Sequence, residues 1–127
     1  MTARIVIVDD EIHIRTLIAQ SLEELEDEGV EIAMADNGAD GLALIESDRP
    51  QLVFLDVMMP KMNGFDVCRT VKRERGLDDV YVVLLTAKGQ QIDRQKGGEV
   101  GADLYMTKPF DPDELLARAR RVLGRST

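Results

Sequence analysis

The chain has 127 residues, 44% of them hydrophobic and 31% charged, the make-up of one globular domain with a usable core and not of a disordered tail. Twenty-four acidic against 16 basic side chains leave a net charge of −8, which argues against direct contact with nucleic acid or an anionic membrane, since both call for a positive patch. One cysteine, Cys68, and one histidine, His13, exclude an intrachain disulfide and a thiolate–imidazole metal cluster. No apolar run approaches the ~18 residues of a membrane span, so a single cytoplasmic domain over residues 1–127 is expected.

In chain order, Ile5-Val6-Ile7-Val8 opens a set of three continuous, β-branched apolar runs, followed by Leu52-Val53-Phe54-Leu55 and by residues 80–85, "VYVVLL". Runs that do not alternate belong to strands covered on both faces, as in a parallel sheet. Behind the first run, Ile14, Leu17, Ile18, Leu22 and Leu25 recur at helical spacing. Residues 30–35, "VEIAMA", are a weaker strand candidate. After the second apolar run, Asn63-Gly64 reads as a turn, and Phe65, Cys68 and Val71 space a further helix. Residues 90–101, "QQIDRQKGGEVG", have few apolar anchors and a Gly97-Gly98 pair, so a helix there is expected to be weakly formed. A strand over 103–107, "DLYMT", precedes a last helix built on Leu115, Ala119, Val122 and Leu123. Asp111 is placed to cap that helix, Pro112 fits its first position, and Glu114 completes a variant of the capping box. Strands alternating with helices imply an α/β fold with one parallel sheet between two helical layers.

In such sheets ligands bind beyond the carboxyl ends of the strands. There the sequence places Asp9, Asp10 and Glu11 after the first strand, Asp56 after the third, Thr86 and Ala87 at the fourth, and Lys108-Pro109 at the fifth. Three aspartates in one partly desolvated cleft repel one another unless a cation lies among them. Oxygen donors without nitrogen or sulfur favour Mg²⁺, with Mn²⁺ as the alternative. Lys108 and the Thr86 hydroxyl would face the same point, where they suit a phosphoryl group.

With "VDDE", "LDVMMPKMNG", "LLTAK" and "GADLYMTKPF" in this order and spacing, the chain resembles the receiver domain of two-component response regulators, members of the CheY-like superfamily, over residues 3–124. The resemblance implies a flavodoxin-like, doubly wound (βα)5 three-layer sandwich of strand order 2-1-3-4-5. It implies a phosphoacceptor regulatory domain and not an enzyme, in which Asp56 takes a phosphoryl group from phosphohistidine on a sensor histidine kinase or phosphotransfer protein. It makes Asp10 a direct Mg²⁺ ligand, Asp9 mainly a water-mediated one, Asp56 both ligand and nucleophile, and the Met58 carbonyl a further ligand. Lys108 would hold one phosphoryl oxygen, with Thr86 and the Ala87 amide at another, and Lys108-Pro109 would be cis. Thr86 and Tyr105 would form a coupled switch that acts on the face made by the 90–101 helix, the fifth strand and the last helix. Met58 and Lys88 would tune phosphoryl lifetime by crowding water.

Plainer readings exist for each residue. Asp9 and Asp10 suit a helix cap, Lys108 a solvated surface, and Tyr105 a half-buried packing position. His13 and Cys68 read as structural. A Mg²⁺-dependent phosphohydrolase with an aspartate nucleophile is the rival function, but the position where such enzymes commonly carry a second acid is Met58, which cannot transfer a proton. A receiver-like module that is never phosphorylated is the other. The last helix is similar to that of receivers in winged-helix transcription regulators, which pair through the output face. Asp103, Glu114, Arg118 and Arg94 are candidates for ion pairs in a phosphorylation-dependent homodimer; the downstream output domain or protein is open.

Overall fold

In the computed structural model, residues 2–87 and 100–125 are described. Five strands, β1 (Arg4–Val8), β2 (Glu31–Ala35), β3 (Leu52–Asp56), β4 (Tyr81–Ala87) and β5 (Leu104–Lys108), form one sheet in the order β2-β1-β3-β4-β5. Every neighbouring pair is parallel. This is the flavodoxin-like order the motifs imply. The apolar runs account for the three central strands: β1, β3 and β4 are buried almost throughout. The two less apolar runs became the edges, β2 and β5, each starting one residue later than the sequence suggested.

Helices α1 (Ile12–Ser21), α2 (Glu23–Asp27), α3 (Gly38–Asp48), α4 (Gly64–Arg69) and α5 (Pro112–Val122) cover the sheet. Alternate strand residues feed two cores. Val6, Val53, Leu55, Val82 and Leu84 pack with Ile45 of α3 and Val67 and Cys68 of α4. On the opposite face Ile5, Ile7, Leu52, Phe54, Val83 and Leu85 pack with Ile18 of α1, Leu25 of α2, and Leu115 and Ala119 of α5. Each aliphatic side chain buried in this way contributes about 1.5–3 kcal/mol relative to exposure, and these two cores hold the strand ends in register.

Four local expectations are corrected. The helix expected across residues 14–25 is broken at Leu22, whose φ of −103° and ψ of 10° end α1; the apolar stripe survives because Ile18, Leu22 and Leu25 remain fully buried. Asn63-Gly64 is not a turn. Asn63 is the N-cap of α4, in a reciprocal box with Asp66 at 3.0 and 3.1 Å, and the left-handed residue of the loop is Lys61, at φ 67°. At α5, Asp111 caps as expected but accepts from the Asp113 amide, with no reciprocal bond from Glu114. Helix α4 runs on into a π-helical turn, Thr70–Glu74, a widening that the spacing of Phe65, Cys68 and Val71 does not reveal. The helix expected over 90–101 lies outside the described residues apart from buried Val100 and Gly101.

Candidate functional site

The pairing of the strands decides which polar residues meet. Val8 lies opposite Leu55 and Asp56 opposite Leu85, so Asp9, Asp56 and Thr86 emerge together at the carboxyl edge. Ala87 pairs with Lys108, which brings the lysine to the same edge from β5. One ligand oxygen from each of Asp9, Asp10 and Asp56 lies within 4.8 Å of the others. Asp9 is 0% exposed and Asp56 4%, whereas Asp10 faces solvent.

Lys108 Nζ donates to Asp9 Oδ2 at 2.8 Å and to Asp56 Oδ1 at 3.3 Å. The Met58 amide also donates to Asp56 Oδ1, at 3.4 Å. Asp56 Oδ2 accepts no hydrogen bond among the described residues. One lysine against three carboxylates leaves a negative excess, and its effect is visible in the acid–base balance. Burial first, and then the Asp9 charge, push Asp56 from 3.8 up to about 7, against the pull of Lys108. Burial works against the Lys108 charge too, but the bonds to Asp9 and Asp56 hold its pKa above the ordinary lysine value.

Capping does not explain this cluster. The N-cap of α1 is Glu11, which makes no side-chain cap bond, and Asp9 Oδ1 accepts the Glu11 amide at 2.9 Å in a local turn. Nor does Lys108 point to solvent: its side chain is 14% exposed. The donor set consists only of oxygens, at a spacing that fits a hard divalent cation. A second observation points the same way. Thr86 Oγ1 is buried without a hydrogen-bond partner among the described residues, and such a hydroxyl costs about 1–3 kcal/mol until it gains one.

The remaining sequence candidates fall around this centre. Ala87 is exposed at the end of β4. The Lys108-Pro109 bond is cis, as expected. Met58 is 61% exposed at the rim, so its side chain stays at the surface while its amide faces Asp56. The Tyr105 ring packs half-buried on the α3–α4 core, with its hydroxyl buried. Lys88 and Arg94 lie outside the described residues. His13 is a surface residue 3.0 Å from Glu11, while Cys68 is buried, its thiol pushed up to about 12 mainly by burial.

Sequence reasoning missed what holds the strand end that carries Asp56. Gly64 starts α4 directly against it: a Cβ there would lie 2.3 Å from the Asp56 carbonyl oxygen and 2.8 Å from Val57 Cα. Its amide donates to the Val57 carbonyl at 3.0 Å. The signal was the Asn-Gly pair, which serves a cap followed by a close approach as well as a turn.

Comparison with known proteins agrees with this geometry. Residues 5–120 match the model of the response regulator receiver domain. The chain is 44% identical to a probable transcriptional regulator, ycf27, of Porphyra purpurea over 97% of its own length and 48% of the relative's. It is 40% identical to the alkaline phosphatase synthesis transcriptional regulatory protein PhoP of Bacillus subtilis over 99% of its length and 50% of that protein's. The chain thus spans about half the length of these curated relatives. Among solved structures, the chemotaxis protein CheY4 of Vibrio cholerae superposes with a TM-score of 0.82 at 32% identity, covering 96% of this chain and 99% of the other. The acidic edge, the buried lysine and these likenesses converge: the chain belongs to the response regulator receiver domain family and is a regulatory phosphoacceptor of phosphorelay signalling.

Proposed function

We propose that residues 1–127 form one cytoplasmic receiver domain that accepts a phosphoryl group on Asp56 in the presence of Mg²⁺, with Mn²⁺ able to substitute. The observation that carries this is a buried carboxylate, Asp56, with Asp9 and Asp10 within 4.8 Å and Lys108 at 3.3 Å. The cation would be held by Asp9, Asp10, Asp56 and the Met58 carbonyl, and when bound it offsets their charge and that of the incoming phosphoryl oxygens.

An Asp56 oxygen attacks phosphorus as the phosphorus–nitrogen bond of a phosphohistidine breaks, and the electron pair of that bond leaves with the imidazole. Lys108, already charged, follows a phosphoryl oxygen by turning from Asp56. The Thr86 hydroxyl, buried without a partner among the described residues, gains one in a phosphoryl oxygen, and the Ala87 amide donates beside it. Phosphorylation then shifts a two-state equilibrium by the difference these contacts make between the states. Tyr105 moves into the space that Thr86 leaves, and the face of β5 and α5 with the 90–101 segment changes shape for a downstream output domain or protein.

The phosphodonor is a sensor histidine kinase or a phosphotransfer protein. Of the residues proposed for homodimer ion pairs, Asp103 is committed within the chain: its Oδ2 accepts from Lys72 Nζ and from the Val82 amide, both at 2.8 Å. Glu114 and Arg118 of α5 remain, and sedimentation with and without beryllofluoride tests whether they pair copies on activation. Incubation with acetyl phosphate and Mg²⁺ should add the mass of one phosphoryl group in an acid-labile form, absent without the metal. Retention of that mass in Asp56→Asn would refute the assignment of the nucleophile.

A further inference from the structure

Arg15 lies in α1, half-buried, on the wall between the acidic edge and a cavity of about 660 Å³ that Asp36 and Asp40 also line. Two carboxylates line the same cavity, both accepting from Asn37 Nδ2, and among the described residues Arg15 makes no ion pair. Its Nη1 instead donates to the neutral backbone carbonyl of Asp9 at 2.6 Å. That carbonyl belongs to the peptide unit joining Asp9 to Asp10.

Asp9 is therefore gripped on all sides. Its amide donates to Ala35 O at 3.2 Å, and its carboxylate accepts from Lys108 and from the Glu11 amide. Asp10 is not: its carboxylate is exposed and accepts no hydrogen bond among the described residues. The backbone therefore sets the Cα–Cβ direction from which the Asp10 oxygens reach the site, and a side-chain contact to the peptide entering Asp10 comes from Arg15. Metal ligands are commonly held in this indirect way, and loss of such support typically weakens the metal by about 10- to 100-fold.

We infer that Arg15 is a positioning residue for the cation site, acting through the Asp9–Asp10 peptide; this rests on the proposal that Asp9, Asp10 and Asp56 bind Mg²⁺. Coulomb attraction and positioning make opposite demands here. A guanidinium beside a cation site repels the cation, so removing its charge alone should tighten Mg²⁺ binding. Removing the hydrogen bond should loosen it.

The test titrates Mg²⁺ alone into the intact chain, its Arg15→Met variant and its Arg15→Lys variant, by calorimetry and by amide NMR shifts. Positioning requires Arg15→Met to bind Mg²⁺ about 10-fold more weakly at an unchanged melting temperature, with Arg15→Lys, which keeps the charge and one donor, falling between. It also requires the Asp10 and Glu11 amides of metal-free Arg15→Met to shift while those of Thr86 and Lys108 stay in place. Equal or tighter Mg²⁺ binding by folded Arg15→Met overturns the inference, as do unmoved Asp10 and Glu11 amides. Should Arg15→Met fail to fold, Arg15→Lys decides alone: weaker Mg²⁺ binding than the native chain with shifted Asp10 and Glu11 amides supports the inference, and native affinity or unmoved amides overturns it. A native chain that binds no Mg²⁺ defeats the cation reading instead, and the metal-free amide shifts then decide the role of Arg15 in the turn.

Discussion

Two buried lysines meet aspartates at opposite ends of the sheet, and they solve different problems. At the amino end of β5, Lys72 from the π turn after α4 is 7% exposed at its side chain and faces one carboxylate, Asp103, whose second acceptor bond takes the Val82 amide. Charge is matched one to one, and a single oxygen, Asp103 Oδ2, accepts both bonds. At the carboxyl end, Lys108 is shared between Asp9 and Asp56 with Asp10 close by, and the sum is negative. A matched pair locks elements together. An unmatched set binds whatever restores the balance, and that is the physical distinction between a structural ion pair and a site.

The largest expected effect separates the two directly. Lys72→Met strands Asp103 beside the start of the β4–β5 ladder and should lower unfolding free energy by about 2–3 kcal/mol, at or below the low end of what a fully buried pair costs when broken, because Asp103 is partly exposed. Mg²⁺ should not restore the loss. Lys108→Met should also destabilise the metal-free chain, by about 1–3 kcal/mol, but saturating Mg²⁺ should recover most of it, since the cation takes over the same carboxylates. Urea unfolding of both variants in chelator and in Mg²⁺ measures the contrast, and equal rescue of both would erase it.

Next comes pH. In the metal-free fold Asp56 titrates near 7 against 3.8 for the ordinary group, so the folded chain holds that proton more tightly than the unfolded chain does. Its contribution to stability is full below about pH 4, is lost as pH rises toward about 7, and is flat beyond. At 1.36 kcal/mol per pH unit the loss is at most about 4 kcal/mol, and about 2 is expected after the site relaxes. Asp56→Asn should abolish that slope, and Lys72→Met should leave it unchanged. Denaturant unfolding from pH 4 to 8 in chelator reads it.

Gly64→Ala should act on one end of the sheet only. A methyl group within 2.3 Å of the Asp56 carbonyl oxygen has backbone and not a flexible side chain in its way, so the loop must shift, at a cost of about 1–3 kcal/mol. Phosphorylation by acetyl phosphate should slow more than stability alone explains, because the displaced backbone carries Asp56, the proposed nucleophile. An unchanged rate would show that Asp56 is positioned from the sheet alone.

Much of this was legible in the sequence, for a reason that the two lysines also illustrate. Central parallel strands must be apolar on both faces, so β1, β3 and β4 stand out, and the residues that follow them mark the carboxyl edge without any knowledge of packing. Lys108 was legible because it lies there, between a strand and a proline. Lys72 was not: among Arg69, Arg73, Glu74 and Arg75 it looks like one more solvated charge, and its burial depends on a π turn and on the approach of Gly101, where an added Cβ would lie 3.0 Å from Lys72 Cβ. Arg15 was hidden for a similar reason, since its partner is a backbone carbonyl. The pairing of Glu28 with Arg120, at 2.7 and 3.1 Å between the end of α2 and α5, joins residues 92 apart. No local pattern announces such a contact.

The smallest effect tests whether the cap of α4 belongs to the site or only to the helix. Asn63, one residue before Gly64, closes the reciprocal box with Asp66, so Asn63→Ala removes the acceptor for the Asp66 amide while leaving the Gly64 backbone in contact with Val57. Loss of such a cap costs about 1 kcal/mol. The Gly64 amide bond to the Val57 carbonyl does not depend on the Asn63 side chain, so Mg²⁺ affinity and phosphorylation rate should stay at native values while the unfolding midpoint falls. A matching fall in the phosphorylation rate would mean that fraying of α4 reaches Asp56, and the carboxyl edge would then depend on its neighbouring helix as closely as the amino edge depends on Lys72.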